Sequence, residues 1–332
     1  MVSLKEIAKE AQVAPSTVSI ILNGRSSSVR ISPATVERVK AIATRMGYSP
    51  NRVARALSMG STMQIALWVP HLKEPYYAEI LDTIFDNLKA SGYDMMVSDA
   101  YVVDGWQAHL ARLAQWPVDG IIACDCPAFV DAYITLAGNR RKPIVSVGAN
   151  FSNNVDTVAL DLYTGEQNAV EHLLSQGRKH IACILPQYGF SEMSDPRHRA
   201  YADKMKQYQL HEEYLLLPDY TPYTAYKITK DYLTTHTSID AIICFNDDMA
   251  LGAHRAIMEL GIDMPGRIAL IGHNGIRDCD YVFPRLSTIV HPRQQMCELA
   301  WKVLQDRIAY PKKDKQQFQL TAELSISASA NE

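Results

Sequence analysis

No run in this 332-residue chain approaches the roughly 18 consecutive apolar residues that a membrane-spanning helix needs. Its start, Met1-Val2-Ser3-Leu4-Lys5-Glu6, has neither the basic stretch nor the apolar core of a secretory signal, so a cytoplasmic protein is expected. Cysteine is sparse: Cys124, Cys126, Cys183, Cys244, Cys279 and Cys297, with no CxxC pair to build the common zinc or redox motifs. No GxGxxG follows Val69, and there is no Walker loop, GxSxG or HExxH. His172, His180 and His198 are too dispersed for metal geometry. The expectation is a protein that is not an enzyme and that uses no metal and no cofactor.

What is present is an ordinary globular composition with an uneven charge. Hydrophobic residues make up 47% and charged residues 21%, enough for roughly two to three domains at about 150 residues each. The formal net charge is −3, yet the first 60 residues hold nine Lys and Arg against three Glu. That end carries +6, which leaves −9 on the remaining 272 residues. A basic end on an acidic body points to nucleic acid, although a solvated basic face has the same charge.

Within the basic end, Ser3-Leu4-Lys5-Glu6 is a capping-box pattern. Leu4, Ile7, Ala8 and Ala11 then recur at helical spacing. After a turn at Gln12 and Val13, a second helix starts near Pro15, where the missing N–H costs nothing. Val18, Ile21 and Leu22 form its buried stripe, which puts Ser16, Ile20 and Asn23 on the opposite face. Ser32-Pro33 opens a third helix with an apolar stripe of Val36, Val39, Ile42, Ala43 and Met46, and Gly47 stops it. This is a helix-turn-helix pattern, and on pattern alone a small helical docking domain competes with it. The short segment Arg52 to Ser58 falls below the roughly 12–15 residues at which an isolated helix is marginal, so it is helical only when a partner holds it.

From Met63 the chain alternates β-branched runs with amphipathic stretches. Strands are predicted at Gln64–Val69, Asp94–Val97, Val118–Cys124, Ile144–Val147 and Val158–Leu160, with helices at Tyr77–Ser91, Gly105–Trp116 and Phe129–Gly138 between them. The pattern repeats with strands at Ile181–Leu185, Leu215–Leu217, Ala241–Cys244 and Ile268–Gly272. Their helices are Glu166–Gln176, Arg199–Tyr208, Ala225–His236 and Asp248–Leu260. A returning helix at Gln294–Ile308 and a late strand at Gln317–Leu320 follow. This predicts two doubly wound parallel-sheet lobes, with ligands beyond the carboxyl ends of the strands.

Residues 4–23, LKEIAKEAQVAPSTVSIILN, closely resemble the N-terminal motif of the LacI/GalR family of bacterial transcription regulators. The resemblance continues through Gly47-Tyr48-Ser49-Pro50-Asn51 and Val53-Ala54-Arg55-Ala56-Leu57. In the body it runs through Val118-Asp119-Gly120-Ile121-Ile122, Asn246-Asp247-Asp248-Met249-Ala250 and Leu270-Ile271-Gly272-His273-Asn274. It implies an all-α helix-turn-helix head (1–48), a hinge helix and linker (49–62), and an α/β periplasmic-binding-protein-like body of two doubly wound parallel-sheet lobes (63–332). The lobes would span about 63–160 with 292–320, and 161–291 with 321–332. By resemblance Pro15, Ser16 and Ile20 read bases, while Ser3, Thr17, Ser19 and Asn23 contact phosphates. Asn51, Arg52, Ala54, Arg55 and Leu57 belong to the hinge contact, where the leucine wedges into a base step of the minor groove. Ile20 replaces the long polar residue usual at its position, and Gln12 takes a turn position where glycine or asparagine is favoured. The loop Gly24 to Ile31 is about three residues longer than usual.

In the body the resemblance carries ligand contact to Tyr76, Tyr77, Asp161, Arg199, Tyr220, Asn246 and Asn274. The tyrosines would offer stacking faces and Arg199 a bidentate fork. Asn274 stands where an aspartate is usual, and Met193 where purine-type relatives carry an arginine. The implied partners are operator DNA, a small effector of the sugar class, and a second copy of the chain in a dimer rather than a tetramer, because no leucine heptad follows Ser325-Ile326-Ser327. The implied function is a ligand-responsive repressor of a carbohydrate uptake or catabolism operon. A solute-binding protein without DNA binding is the competing reading.

Overall fold

The computed structural model describes residues 2–22, 31–48, 60–100, 105–188, 190 and 195–331. They divide into two units, the first comprising residues 1–63 with 117–119 and the second the rest.

Three helices build the first unit: α1 (Leu4–Ala11), α2 (Pro15–Leu22) and α3 (Pro33–Arg45). The capping box at the start of α1 forms as its sequence predicts. Glu6 N–H donates to the Ser3 hydroxyl at 3.3 Å, and Ser3 N–H donates to the Glu6 carboxylate at 2.7 Å. Ser32 caps α3 by accepting from Thr35 N–H at 3.3 Å. Tyr48 N–H reaches back to the Ala43 carbonyl at 2.9 Å and Gly47 N–H to Thr44 at 3.1 Å. This closes a Schellman motif around Gly47 at φ 67°. Ile7, Ala8, Ala11, Val18, Ile21, Val39, Ile42 and Ala43 form the core of the unit.

The second unit contains two six-stranded sheets. In the first lobe β1 (Gln64–Val69), β2 (Asp94–Asp99), β3 (Gly120–Cys124), β4 (Ile144–Gly148) and β5 (Asp156–Asp161) alternate with α4 (Pro75–Ala90), α5 (Trp106–Leu113) and α6 (Pro127–Ala137). The chain then crosses into α7 (Tyr163–Ser175), β6 (Ile181–Pro186), α8 (Pro196–Gln207), β7 (Glu213–Leu217), α9 (Pro222–Thr235), β8 (Ala241–Cys244), α10 (Asp247–Glu259), β9 (Ala269–Asn274) and β10 (Ser287–Val290). It returns through α11 (Arg293–Ala309) to β11 (Gln317–Thr321) and ends in β12 (Glu323–Ser325).

Sheet order is β2-β1-β3-β4-β5-β11 in one lobe and β7-β6-β8-β9-β10-β12 in the other. All pairings are parallel except β10 with β12. In each sheet the winding direction reverses after the first two strands, at β1/β3 and at β6/β8. That reversal opens a crevice at the carboxyl ends of those strands. Nearly every residue of β1, β3, β4, β6, β8 and β9 is buried, as expected for strands covered by helices on both faces. Trp68 anchors the first lobe by packing edge-on against Phe129 and Tyr133, with ring centroids 5.2 Å apart in each case. In the second, α9 and α10 approach so closely that a Cβ on Gly252 would lie 2.2 Å from the Pro222 carbonyl oxygen.

Two strands escape the sequence reading. Ser287–Val290 is only four residues long and half polar, so it carries no usable alternation, and its Ser287 hydroxyl bonds the Ser327 carbonyl at 3.0 Å. Glu323–Ser325 is a three-residue edge strand set by its antiparallel pairing with β10. The predicted start of β3 at Val118 moves to Gly120.

Candidate functional site

Both switch points open on one cavity of about 240 Å³ between the lobes. The first lobe contributes His71, Glu74, Tyr76 and Tyr77 from the β1–α4 connection and the start of α4, and Asp125 from the end of β3. The second contributes Arg197, Tyr220, Phe245, Asn246 and Asn274, and His291 lines the cavity at a crossing between lobes. A second chamber of about 240 Å³ shares Asp125, Asn150, Tyr188, Tyr220 and Phe245 with it.

The polar groups are held in place by hydrogen bonds to neighbouring residues. Asp125 sits at φ 47° and accepts from Asn150 N–H at 2.9 Å and the Tyr77 hydroxyl at 3.3 Å. A Cβ on Gly148 would lie 2.4 Å from its carboxylate, so glycine is required there. Asn246 is 2% exposed and caps α10 by accepting from Met249 N–H at 2.9 Å. Arg197 is 7% exposed; its Nε and Nη2 grip the two oxygens of Asp195 at 2.9 and 2.8 Å, and Nη1 donates to the Phe245 carbonyl at 2.7 Å. The guanidinium lies 3.4 Å from the centroid of the Phe245 ring.

Burial sets the protonation of the site. It pushes Glu74 up to about 7, with Asp248 adding repulsion and Arg197 opposing. Asp125 rises to about 6 for the same first reason, opposed by its bond from Asn150 and by Arg197. Burial also holds His71 below its ordinary value, and His273 and His291 well below theirs. Behind the cavity a buried chain runs from the Tyr76 hydroxyl to His291 Nδ1 at 2.9 Å and from His291 Nε2 to His273 Nδ1 at 2.9 Å. His273 Nε2 faces Glu166 at 4.0 Å, and burial lifts that carboxyl to about 8.

Of the residues assigned to ligand contact by resemblance, Tyr76, Tyr77, Tyr220, Asn246 and Asn274 line the cavity. Two do not. Arg199 is exposed and, with Asp161, borders a separate depression that also includes Tyr163 and Gln319. The reason is helical phase: Arg197, Tyr201 and Met205 share the buried face of α8, and Arg199 lies about 200° around from Arg197. The arginine of the cleft is therefore Arg197. Asp161 is committed to the crossing between lobes, where its carboxylate accepts from Thr164 N–H at 3.1 Å and the Thr164 hydroxyl at 2.7 Å. Sequence reasoning also missed Asp125 and Glu74. Asp125 was findable as the first residue beyond β3 at a switch point, and Glu74 stands just before the Pro75 that opens α4.

In the head, Val18 and Ile21 of α2 are buried while Pro15 and Ser16 are exposed, and Thr17, Ser19 and Ile20 are half-buried. Ser3 is exposed at the α1 cap. Gln12 adopts φ 53° and ψ 45°, the left-handed turn between α1 and α2. Asn23, Asn51, Arg52, Ala54, Arg55, Leu57 and Met193 lie outside the described residues.

A three-helix head whose second helix exposes Pro15 and Ser16 at its start, joined in one chain to a two-lobed body with a polar and aromatic cleft, defines a ligand-binding DNA-recognition protein. Residues 3–51 match the bacterial regulatory proteins of the lacI family, and residues 170–329 match a periplasmic binding protein-like domain. The repressor PurR of Erwinia tasmaniensis is 30% identical over 95% of this chain and 93% of its own length. That of Photorhabdus laumondii is likewise 30% identical over the same shares. Among solved structures, a LacI-family regulator from Enterococcus faecium with bound ribose is 25% identical, with a TM-score of 0.72 over 80% of this chain and 98% of that one. The lac repressor dimer bound to operator and the anti-inducer ONPF shares the fold at a TM-score of 0.83 over 99% of each chain, at 22% identity. The chain belongs to the LacI family of DNA-binding transcriptional regulators, which are not enzymes. No described helix is long and apolar enough to cross a membrane.

Proposed function

We propose that this protein represses an operon for carbohydrate uptake or catabolism, acting in the cytoplasm as a homodimer whose operator affinity is set by a sugar in the cleft. One observation carries the sugar reading: the cavity sets the rings of Tyr77, Tyr220 and Phe245 beside Arg197, Asn246, Asn274 and Asp125. Aromatic faces suit the apolar side of a pyranose, and a mixture of donors and acceptors suits its hydroxyls. Relatives with bound ribose and cellobiose support the same class. On the DNA side, Pro15, Ser16 and Ile20 read the major groove, and Ser3, Thr17, Ser19 and Asn23 hold phosphates. Ile20 contacts a thymine methyl rather than a hydrogen-bonding edge. Asn51, Arg52, Ala54, Arg55 and Leu57 make the hinge contact. Ligand changes the lobe orientation and so the spacing of the two heads.

A thermal-shift screen of pentoses, hexoses and disaccharides against nucleosides and free nucleobases tests the effector class. Stabilisation by a sugar at micromolar to millimolar concentration is expected. Stabilisation by nucleobases alone would overturn the carbohydrate reading.

A further inference from the structure

The charges around the cleft do not balance, and the imbalance bears on the ligand. Among the described residues lining the cavity, Glu74 and Asp125 carry carboxylates and Arg197 carries the one guanidinium. That guanidinium is already matched by Asp195, which grips it with both oxygens. The lining histidines, His71 and His291, are kept neutral by burial. Glu74 stands at the N-cap position of α4 without a capping hydrogen bond, and Asp248 adds further negative potential to it. Asn246, almost completely buried, uses its amide oxygen on Met249 N–H, which leaves its amide nitrogen for the cavity. Two carboxyl groups thus line the cleft with no unmatched positive charge among the described residues. A neutral sugar would hydrogen-bond there and leave the surplus in place; an anionic one would add to it.

We infer that the effector is an amino sugar or amino polyol whose ammonium group sits against Glu74 and Asp125, its hydroxyls meeting Arg197, Asn246 and Asn274. This rests on the carbohydrate reading of the cleft and narrows it. In the empty cleft burial holds Glu74 at about 7 and Asp125 at about 6; the bound ammonium supplies the counter-charge that draws both into the ionised form in the complex. The gain over the matching hydroxyl compound is that of a charge-assisted hydrogen bond, roughly ten- to hundredfold in affinity.

Calorimetry at pH 6.5 on the full chain decides it, using glucosamine, galactosamine and mannosamine, their parent hexoses and their N-acetyl derivatives. The expected result is that one free amine binds roughly ten- to hundredfold more tightly than both its parent and its N-acetyl form. Glu74→Gln and Asp125→Asn, whose melting curves report folding, should each shrink that ratio. A parent hexose or N-acetyl form that binds as tightly as the amine overturns the inference and leaves the carbohydrate reading standing. Binding of no sugar in any of the three forms, with a nucleoside binding instead, overturns both.

Discussion

At the scale of single residues, Arg197 and Arg199 differ in everything but side-chain type. Arg197 is a buried ion pair partner, with side-chain exposures of 9% and 23% for it and Asp195. Removing it strands Asp195, whose carboxyl this guanidinium keeps below its ordinary range against the pull of burial. Arg197→Ala should therefore cost about 3–5 kcal/mol of stability and abolish effector binding. Arg199→Ala, on the exposed face of α8, should stay within about 0.5 kcal/mol of wild type and bind effector normally. Urea melts and calorimetry on both variants check this, and the reverse ranking would return Arg199 to the cleft. Glu166 gives a pH prediction. Its folded carboxyl titrates near 8, well above its ordinary 4.5, so the native state holds the proton more tightly than the unfolded chain. Stability is thus lost as pH rises from about 4.5 toward 8, by roughly 4 kcal/mol from this group alone. Among the described residues the charged and titratable groups around it include His273, His291, Arg197, Asp195 and the thiols of Cys183 and Cys244. Glu166→Gln should flatten the fall in Tm between pH 5 and 8, and an unchanged slope would assign it to other groups.

At the scale of elements, local rules dictate most of what forms. The helix boundaries of the head follow from Ser3, Pro15, Ser32 and Gly47, each of which does the capping or stopping job that its type suggests. In the body, β1 and β8 have the bounds their sequence predicts, because buried parallel strands have no polar alternation to blur them. Side-chain direction was harder to read than element position. The sequence Pro196-Arg197-His198-Arg199 offers two arginines, and choosing between them needed the phase of Tyr201 and Met205, which point Arg197 inward. Glu74 is illegible for another reason: it occupies a connection just before Pro75, and no local pattern marks it as facing a cavity, whereas Asp125 is marked by its place directly beyond a switch-point strand. The head supplies a stability prediction at this scale. Ser3→Ala breaks the capping box and should cost about 1 kcal/mol. Gln12→Gly relieves a left-handed residue and should gain roughly 1 kcal/mol. Thermal melts of the two variants should move in opposite directions; movement in the same direction would contradict the capping and turn assignments.

At the scale of the whole molecule, a basic end of +6 and an acidic remainder of −9 divide the labour between polyanion binding and ligand binding. The acidic part would repel DNA, so affinity is expected to come from the basic end and to fall steeply with salt, by about 0.9 in log K per log salt for each phosphate neutralised. The cleft lies where two doubly wound lobes face each other, with crossings near residues 162, 291 and 322, so a ligand touching both lobes changes the free energy of their relative orientation. The most direct test is fluorescence anisotropy of a labelled operator duplex, titrated with the full chain at fixed salt with and without saturating effector. The account predicts specific binding whose affinity changes with effector by about 5- to 150-fold, the usual range of coupling between two sites. Equal operator affinity with and without an effector that calorimetry shows to be bound would contradict it.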